Sequence, residues 1–348
     1  MGDIWYSDED LSNMMKTNSF RLYLWFALIF GGSIVLPLVV GVFWIHVLTE
    51  ILILGLFAMS FNLLFGYMGQ LSFGQAAYYG LGAYATAMMI TKTSIPFPLC
   101  IIASILIAGI CALIFGYFCV RLVGIYFAIL TMAFGQLVYY IIFQWYEFTG
   151  GDNGIQGIPC PMLLRNAYSY YYFALIIVTI AIILMWRIIN SSFGYTMRAI
   201  RDNCNRTRFI GINVEKHMLI NFVIAGMFAG LAGSLWAPFN RSVSPDLANW
   251  THSGIPVFMT IMGGPSNFFG PLIGSVVYTI LFTSVIGFTE YWPLIMGTII
   301  ILMVLFFRGG IVEIFNKKTG QIDMNGSRKE GIFIQNGLRD SATNKGAE

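Results

Sequence analysis

Long apolar runs separated by short polar stretches fill most of the chain. A helix needs about 20 apolar residues to cross the hydrocarbon core of a bilayer, and by that measure the pattern predicts ten helical segments. The predicted segments are Phe20–Val40, Phe43–Phe65, Leu71–Ile90, Phe97–Val120, Gly124–Trp145, Tyr168–Ile189, His217–Pro238, Ser253–Met262, Gly270–Phe288 and Tyr291–Phe307. The sequence therefore predicts an all-α polytopic membrane protein with about ten transmembrane segments (roughly 8–10), some of them broken or short.

Two segments depart from a simple spanning helix. Leu71–Ile90 is rich in Gly and Ala, so we expect it to be packed among other helices rather than to face lipid. Ser253–Met262 is too short to span a bilayer alone. It is either a half-helix that ends at Gly263-Gly264-Pro265 or a helix that begins a few residues earlier.

The longest strongly polar interruption is Ser191–Lys216, between the sixth and seventh segments. Its cations are Arg198, Arg201, Arg206, Arg208 and Lys216, against only Asp202 and Glu215. Lys and Arg resist translocation across a membrane, so this loop is predicted to be cytoplasmic. We refer to it as the basic loop.

Strict alternation of the ten segments about the basic loop predicts that both termini are also cytoplasmic. Of the 19 Lys and Arg residues, only Lys92, Arg165 and Arg241 then lie outside, which is a strong positive-inside bias. The predicted organisation is a cytoplasmic segment over residues 1–19, a transmembrane domain over 20–308 and a disordered cytoplasmic tail over 309–348. An external loop covers residues 147–167.

Composition agrees with this picture and excludes several function classes. Of 348 residues, 57% are hydrophobic and 10% are charged, whereas soluble domains carry about 25% charged residues. The net charge of +3 is too small to indicate a nucleic-acid partner. The five cysteines form no CxxC pair and have no His at metal spacing, so neither a disulfide nor a metal is expected. The sequence has no GxSxG, HExxH or GxxxxGKS/T motif, so we expect no catalysis by this chain.

Two groups of polar residues lie within the apolar segments. His46 and Glu50 are one helical turn apart and share a face, and an ionised residue at the bilayer centre costs about 2.5–3.5 kcal/mol. The pair therefore fits a proton-coupled carrier, or else a site near the outer interface that water satisfies. A second group, in a glycine-rich stretch, is either part of a translocation pathway or a set of inter-helix hydrogen bonds. This second group is Asn62, Gln70, Ser72 and Gln75.

The external loop and the seventh segment carry further candidates. Gly151, Asp152 and Asn153 lie in a run of glycines that requires turns, which fits either a contact for a delivery protein or a flexible connector. In the seventh segment, small residues recur at helical spacing, at Ala225, Ala229 and Gly233. That ridge predicts close packing against a neighbouring helix, within or between subunits.

The basic loop is predicted to contain two short helices. Phe193–Asn203 can form the first, with Ser192 as its N-cap, and Gly211 is placed to end a second that begins near Asn205. The simpler interpretation is a basic surface that binds anionic lipid, worth about 1 kcal/mol per cation. The glycine stop and the apolar Phe209-Ile210 favour docking onto another protein instead.

Four separated blocks together resemble the LivM-type permease of branched-chain amino acid ABC importers. The resemblance covers most of Glu50–Gly310. The blocks, in order, are TEILILGLFAMSFNLLFGYMGQLSFGQAAYYGLGAY, FTGGDNGIQGIP, SSFGYTMRAIRDN with RTRFIGINV, and VSPDLANWTHSG with MGGPSNFFGPLIG, ending near FFRGG. Members of that family commonly have His at the position of Gln75, Glu at the position of Ile255 and Gly-Thr at Ser266-Asn267. These departures leave the exact substrate open and do not affect the docking loop.

The resemblance implies partners and a role for the basic loop. Such permeases pair with a second related permease, sit on two ABC ATPase subunits that bind ATP and Mg, and receive substrate from an extracytoplasmic binding protein in the cytoplasmic membrane of a prokaryote. No cofactor is implied on this chain. The resemblance also implies that Arg198 to Gly211, including Arg201, Asp202, Arg206 and Arg208, docks onto an ATPase subunit. The cargo is expected to be a branched-chain or related amino acid, with urea, an amide or another small polar solute as the alternative.

Overall fold

The computed structural model describes residues 40–93, 95–287 and 291–306, together with the isolated positions 31, 33, 36, 37, 310 and 311. Its helices are α1 (Val42–Met68), α2 (Gln75–Lys92), α3 (Phe97–Cys119), α4 (Ile125–Gln144), α5 (Tyr146–Thr149), α6 (Ala167–Ile189), α7 (Ser192–Asp202), α8 (Cys204–Phe209), α9 (Val214–Asn240), α10 (Gly254–Gly263), α11 (Gly270–Ile286) and α12 (Trp292–Phe306). Two short strands, β1 (Ile155–Gln156) and β2 (Ser242–Val243), pair antiparallel. The predicted N-terminal segment lies outside the described residues, as do most of the span Phe20–Val40 and most of the tail.

The predicted segments from Phe43–Phe65 onward each coincide with one helix, with boundaries that differ by a few residues. Five helices of the described part are long and apolar enough to cross a membrane: α1, α3, α4, α6 and α9. The other apolar helices are shorter or contain more glycine. The chain is thus a mostly helical, polytopic membrane protein.

Helix α9 packs closely against α2 and α3 through small residues. A Cβ added at Gly233 would collide with the Tyr79 carbonyl of α2, and one at Gly82 would collide with the Gly230 carbonyl of α9. In the absence of a strong hydrophobic driving force between helices in lipid, this close backbone approach supplies van der Waals contact. The predicted ridge is confirmed, and its partner is a helix of the same chain.

Helix α1 is the other central element, packed against α6, α9, α10 and α11. Its side chains are buried on every side, as at Ile53, Leu56 and Phe57, which are fully buried. A helix that is apolar all round belongs in the interior of a bundle rather than at its surface.

The eighth predicted segment is a half-helix that ends at Gly263-Gly264, the first of the two interpretations given above. Helix α10 has 10 residues, about 15 Å of helix, and it ends at Gly264, whose φ of 107° suits glycine. The residues before it form turns and a 3₁₀ helix (Pro245–Ala248) instead of more α-helix. This irregular backbone runs beside α2, where Ala248 faces Gly80. Non-helical chain at membrane depth is tolerated when protein surrounds it.

The strands and the basic loop lie at opposite ends of the bundle. Helix α6 begins after β1 and ends before α7, whereas α9 begins after α8 and ends before β2. The β1–β2 pair, with Ile155 opposite Val243, therefore marks one end, here called the ribbon end. Helices α7 and α8 mark the other, here called the α7–α8 end.

Candidate functional site

Helix α7 lies on the bundle by one apolar face. Gly194, Met197 and Ile200 recur every three residues and are all buried, as expected of an amphipathic helix seated on an apolar surface. The helix begins at Ser192, and its N-cap is Ser191 rather than the predicted Ser192. The Ser191 hydroxyl donates back to the Ile188 carbonyl at 2.6 Å instead of capping α7.

Two of the predicted docking arginines hold α7 against the end of α1. The Arg201 guanidinium donates to the Gly66 carbonyl, and its side chain covers Gly69, where φ is +74°. The Arg198 guanidinium lies over the Tyr67 ring, 5.3 Å from its centroid, within the range of a cation–π contact. These contacts attach α7 firmly to α1.

Helix α8 is capped at its start and projects outward at its end. The Asn203 side chain accepts from the Arg206 backbone N–H at 2.9 Å, an N-cap that the sequence analysis missed although Asn is among the favoured cap residues. Phe209 and Ile210 are 91% and 75% exposed. Gly211 follows with φ of 90°, the left-handed conformation predicted to stop this helix.

The remaining charged side chains of the basic loop are only partly paired. Arg208 makes an ion pair with Glu215 at 2.6 Å, and Asp202 lies 3.8 Å from Arg201. Within the described residues, the Arg206 side chain has no hydrogen-bond or ion-pair partner. All four arginines belong to the predicted docking segment, and within the chain Arg198 and Arg201 contact α1 while Arg208 pairs with Glu215. The exposed surface of this end includes Arg206, Phe209 and Ile210.

The predicted pathway residues lie in the interior, between α1, α2 and α9. Gln75 is fully buried, and its Nε2 donates to Ser60 Oγ at 3.3 Å and to the Ala225 carbonyl at 3.1 Å. Asn62 is 2% exposed, and its Oδ1 has no partner in the described part of the chain. Thus Gln75 joins three helices, while Asn62 leaves a free acceptor on the same helix as Ser60.

Ser72 and Gln70 belong to the short connection between α1 and α2. The Ser72 hydroxyl is fully buried and accepts from the Gly74 N–H at 3.4 Å. Gln70 is half-buried, and its Oε1 also lacks a partner among the residues that the structure describes. The structure thus places the four predicted residues on α1, on the connection after it and at the start of α2. Gln75 and Ser72 make hydrogen bonds within the protein there, whereas the side-chain oxygens of Asn62 and Gln70 have no partner among the described residues.

Other polar residues in this region were not singled out from the sequence. The Asn221 Nδ2 of α9 donates to the Leu63 carbonyl at 2.8 Å. Ser253, just before α10, accepts from the Ala76 N–H at the start of α2 at 2.9 Å. Isolated polar residues inside apolar runs, such as Asn221, are the signal that could have identified them.

The external loop is joined by backbone hydrogen bonds to the segment that follows α9. Strand β1 pairs with β2, and Ile158 N donates to the Arg241 carbonyl at 3.1 Å. Gly151 is buried, whereas Asp152 and Asn153 are exposed on a 3₁₀ turn. Of the three predicted contact residues, only Asp152 and Asn153 present side chains at the surface.

His46 and Glu50 lie at the ribbon end and line one cavity of about 620 Å³. The His46 ring packs beside Phe239, with 5.8 Å between ring centroids. Neither a hydrogen bond nor an ion pair joins His46 to Glu50 in the described structure. The two residues thus line one cavity without a direct hydrogen bond between them in the described structure. Arg165, Arg241 and Cys160 line the same cavity.

Comparison with known proteins places these features in context. A family model described as branched-chain amino acid transport system / permease component matches residues 43–307. The high-affinity branched-chain amino acid transport system permease protein LivM of Escherichia coli K12 is 25% identical over 79% of this chain and 71% of its own length. The probable LivM of Methanocaldococcus jannaschii is 24% identical over 64% of this chain and 76% of its own length. The galactose/methyl galactoside import permease protein MglC of Haemophilus influenzae is 27% identical over 60% of this chain and 66% of its own length. No solved structure matches the chain.

Proposed function

The chain belongs to the family of branched-chain amino acid transport permease components, and from that premise we propose that it imports branched-chain amino acids as the membrane subunit of an ABC transporter. It works beside a second related permease, two ATPase subunits that bind ATP and Mg, and an extracytoplasmic binding protein. In this arrangement the α7–α8 end faces the cytoplasm, as do both termini, and the ribbon end faces outward in the cytoplasmic membrane of a prokaryote.

The observation that carries the proposal is the construction of the α7–α8 end. One face of α7 is buried against the bundle, and Arg198 and Arg201 fasten it to α1. At the end of α8, Phe209 and Ile210 are 91% and 75% exposed. A lipid-binding basic patch requires cations alone, whereas a fixed element with an apolar tip fits a groove on another protein. Movement of a docked ATPase subunit would pass through α7 to α1.

The central helix α1 links this end to the rest of the molecule. It packs against α10 and α11 as well as α7, and Thr260 of α10 donates to the Ala58 carbonyl of α1 at 3.4 Å. The half-helix α10 and the connection before α2 are the discontinuous elements beside it. Discontinuous helices are where many membrane transporters place substrate contacts. We therefore assign the translocation pathway to the region where Ser253 meets Ala76.

Reconstitution tests the function directly. The chain is placed in proteoliposomes with its neighbouring permease, ATPase and binding-protein gene products, and uptake of radiolabelled leucine is measured with ATP inside the vesicles. Leucine uptake should require hydrolysable ATP and the binding protein. Equal uptake without ATP, or uptake driven by a proton gradient alone, would refute the proposal.

The galactose permease relative favours one alternative, an importer of the same architecture with a sugar as cargo. Equilibrium binding to the purified binding protein separates the two. Leucine, isoleucine and valine should bind, and galactose should not. If the binding protein instead binds galactose, urea or an amide, the assigned substrate is wrong and the assignment as an ABC importer subunit is retained.

A further inference from the structure

The cavity at the ribbon end is lined by charged side chains that are unpaired in the described part of the chain. It opens between α1, α6 and the end of α9, and its volume is about 620 Å³. Glu50 comes from α1, Arg165 from the residues before α6, and Arg241 from the residue after α9. Within the described part of the chain, none of these three side chains makes a hydrogen bond or an ion pair. Among the described residues, these three groups are therefore left open to water or to a ligand.

Glu50 is half-buried, whereas Arg165 and Arg241 at the edge of the cavity are exposed. At the α7–α8 end, Arg208 and Glu215 are about half exposed and nevertheless pair with each other. Glu50 is more buried, eight residues into α1, which corresponds to about 12 Å of helix. A carboxyl group at that depth is costly unless something compensates it. Its persistence beside two guanidinium groups of the same cavity points to a charged occupant.

The backbone holds Arg241 firmly at the rim of the cavity. Its φ of +54° is the one positive value at a non-glycine residue in the described part, a conformation that costs about 1–3 kcal/mol. The Ile158 N–H donates to its carbonyl at 3.1 Å, which ties the residue to the strand pair. Arg241 is thereby positioned by two elements and not by its own helix alone.

We propose that this cavity binds a free amino acid in its zwitterionic form, before the solute enters the interior of the bundle. Glu50 receives the ammonium group, and Arg241 with Arg165 receives the carboxylate, for which a guanidinium is a geometrically matched donor. The aromatic wall formed by Tyr170, Trp236 and Phe239 contacts the aliphatic side chain. This inference rests on the proposed function for the cargo class and adds a location and three recognition residues.

Cys160 is a built-in reporter for occupancy, because it lines the same cavity. Its Sγ donates to the Leu164 carbonyl at 3.2 Å, and the residue is half-buried. The full-length chain in lipid nanodiscs is treated with N-ethylmaleimide, and peptide mass spectrometry follows labelling of each cysteine. Cys204 at the α7–α8 end, also half-buried, serves as an internal control in every sample.

Leucine should slow labelling of Cys160 about tenfold at ten times its Kd and leave the Cys204 rate unchanged. Leucinamide, which lacks the carboxylate, and 4-methylpentanoate, which lacks the ammonium group, should each protect only at much higher concentration. Glu50→Gln and Arg241→Gln should each raise the Kd for leucine about tenfold, as expected for loss of one charge-assisted contact. Glu50→Gln should also abolish the preference for leucine over 4-methylpentanoate.

Matched controls are Glu147→Gln, an exposed acid of α5 that does not line this cavity, and Arg187→Gln, an exposed cation near the other end of α6. Both should keep the wild-type Kd. The inference is overturned if leucine at about 0.1 M, well above a millimolar Kd, leaves Cys160 labelling unchanged. It is equally overturned if galactose protects Cys160 as well as leucine does. The same holds if leucine protects Cys160 in the Glu50→Gln and Arg241→Gln variants at the same concentration as in the wild type.

The assay needs no ATPase and no import, so its failure is distinguishable from failure of the proposed function. ATP-driven leucine uptake without protection of Cys160 would remove the cavity site and keep the transporter. Protection of Cys160 that depends on Glu50 and Arg241, in a chain that imports no leucine, would keep the site and remove the proposed import function.

Discussion

The exposed tip of α8 gives the sharpest test of the docking proposal. We consider the double substitution Phe209→Ala with Ile210→Ala. The two residues are 91% and 75% exposed in the chain, so almost all their apolar surface remains available for burial by a partner. Because substitutions at exposed positions usually change folding stability by less than about 0.5 kcal/mol, the isolated chain should fold and insert normally.

The expected loss of docking affinity follows from the buried apolar surface. Complete burial of a Phe or Ile side chain contributes about 1.5–3 kcal/mol, of which alanine retains a part. Removing both side chains should therefore cost about 2–4 kcal/mol of binding free energy, which is about 30-fold to 1,000-fold in Kd for the ATPase subunits. A loss of that size converts a complex that survives purification into one that dissociates.

The assay measures co-purification of the ATPase subunits through an affinity tag on the permease, together with the amount of permease in the membrane. Met162→Ala with Leu163→Ala is the matched control, because these residues are 92% and 90% exposed but lie near the ribbon end. The control should retain the ATPase subunits. If both double variants retain them, or both lose them equally, the assignment of Phe209 and Ile210 as the docking tip is wrong.

Three further predictions concern packing, anchoring and thiol chemistry. Gly233→Ala should prevent correct folding, because a Cβ there would collide with a backbone carbonyl of α2, whereas Gly297→Ala has open space; size-exclusion chromatography in detergent compares the two. Arg201→Ala should lower the free energy of unfolding by about 1 kcal/mol, because it removes a charged hydrogen bond whose contribution is reduced by solvent exposure. The same substitution should weaken the coupling of ATPase activity to transport. An unchanged melting temperature together with unchanged coupling would contradict the anchoring role. Burial raises the pKa of the Cys160 thiol, and nearby Arg241 only partly offsets this effect. The ratio of the maleimide labelling rate of Cys160 to that of free glutathione should therefore rise as pH increases from neutral toward that raised pKa. A ratio that falls with pH would refute this prediction.

Gln75 illustrates a departure from the family pattern with a structural meaning. The resemblance led us to expect His at this position, and here the Gln75 amide donates to Ser60 of α1 and to the Ala225 carbonyl of α9. A buried bridge of this kind loses about 1–3 kcal/mol when one partner is removed. The position thus joins helices in this chain, and its side chain is one of the four that the sequence analysis assigned to a possible pathway.

The apolar runs alone located most helices, because a helix within a bilayer must satisfy its own backbone hydrogen bonds and its length follows the hydrocarbon thickness. Phe97–Val120 and Gly270–Phe288, for example, were predicted within two residues of their helices. Local signals also predicted the end of α8 at Gly211 and the break after α10. A glycine that adopts a positive φ can end a helix, and that signal can be read from a few adjacent residues of the sequence.

Roles that depend on distant contacts were not accessible in this way. Whether an arginine of the basic loop faces a partner or α1 depends on Gly66 and Tyr67, more than 130 residues earlier in the chain. The meeting of Glu50 with Arg165 and Arg241 in one cavity likewise requires three helices to converge. Helix periodicity specifies which residues share a face of one helix, but only packing between helices determines which faces meet.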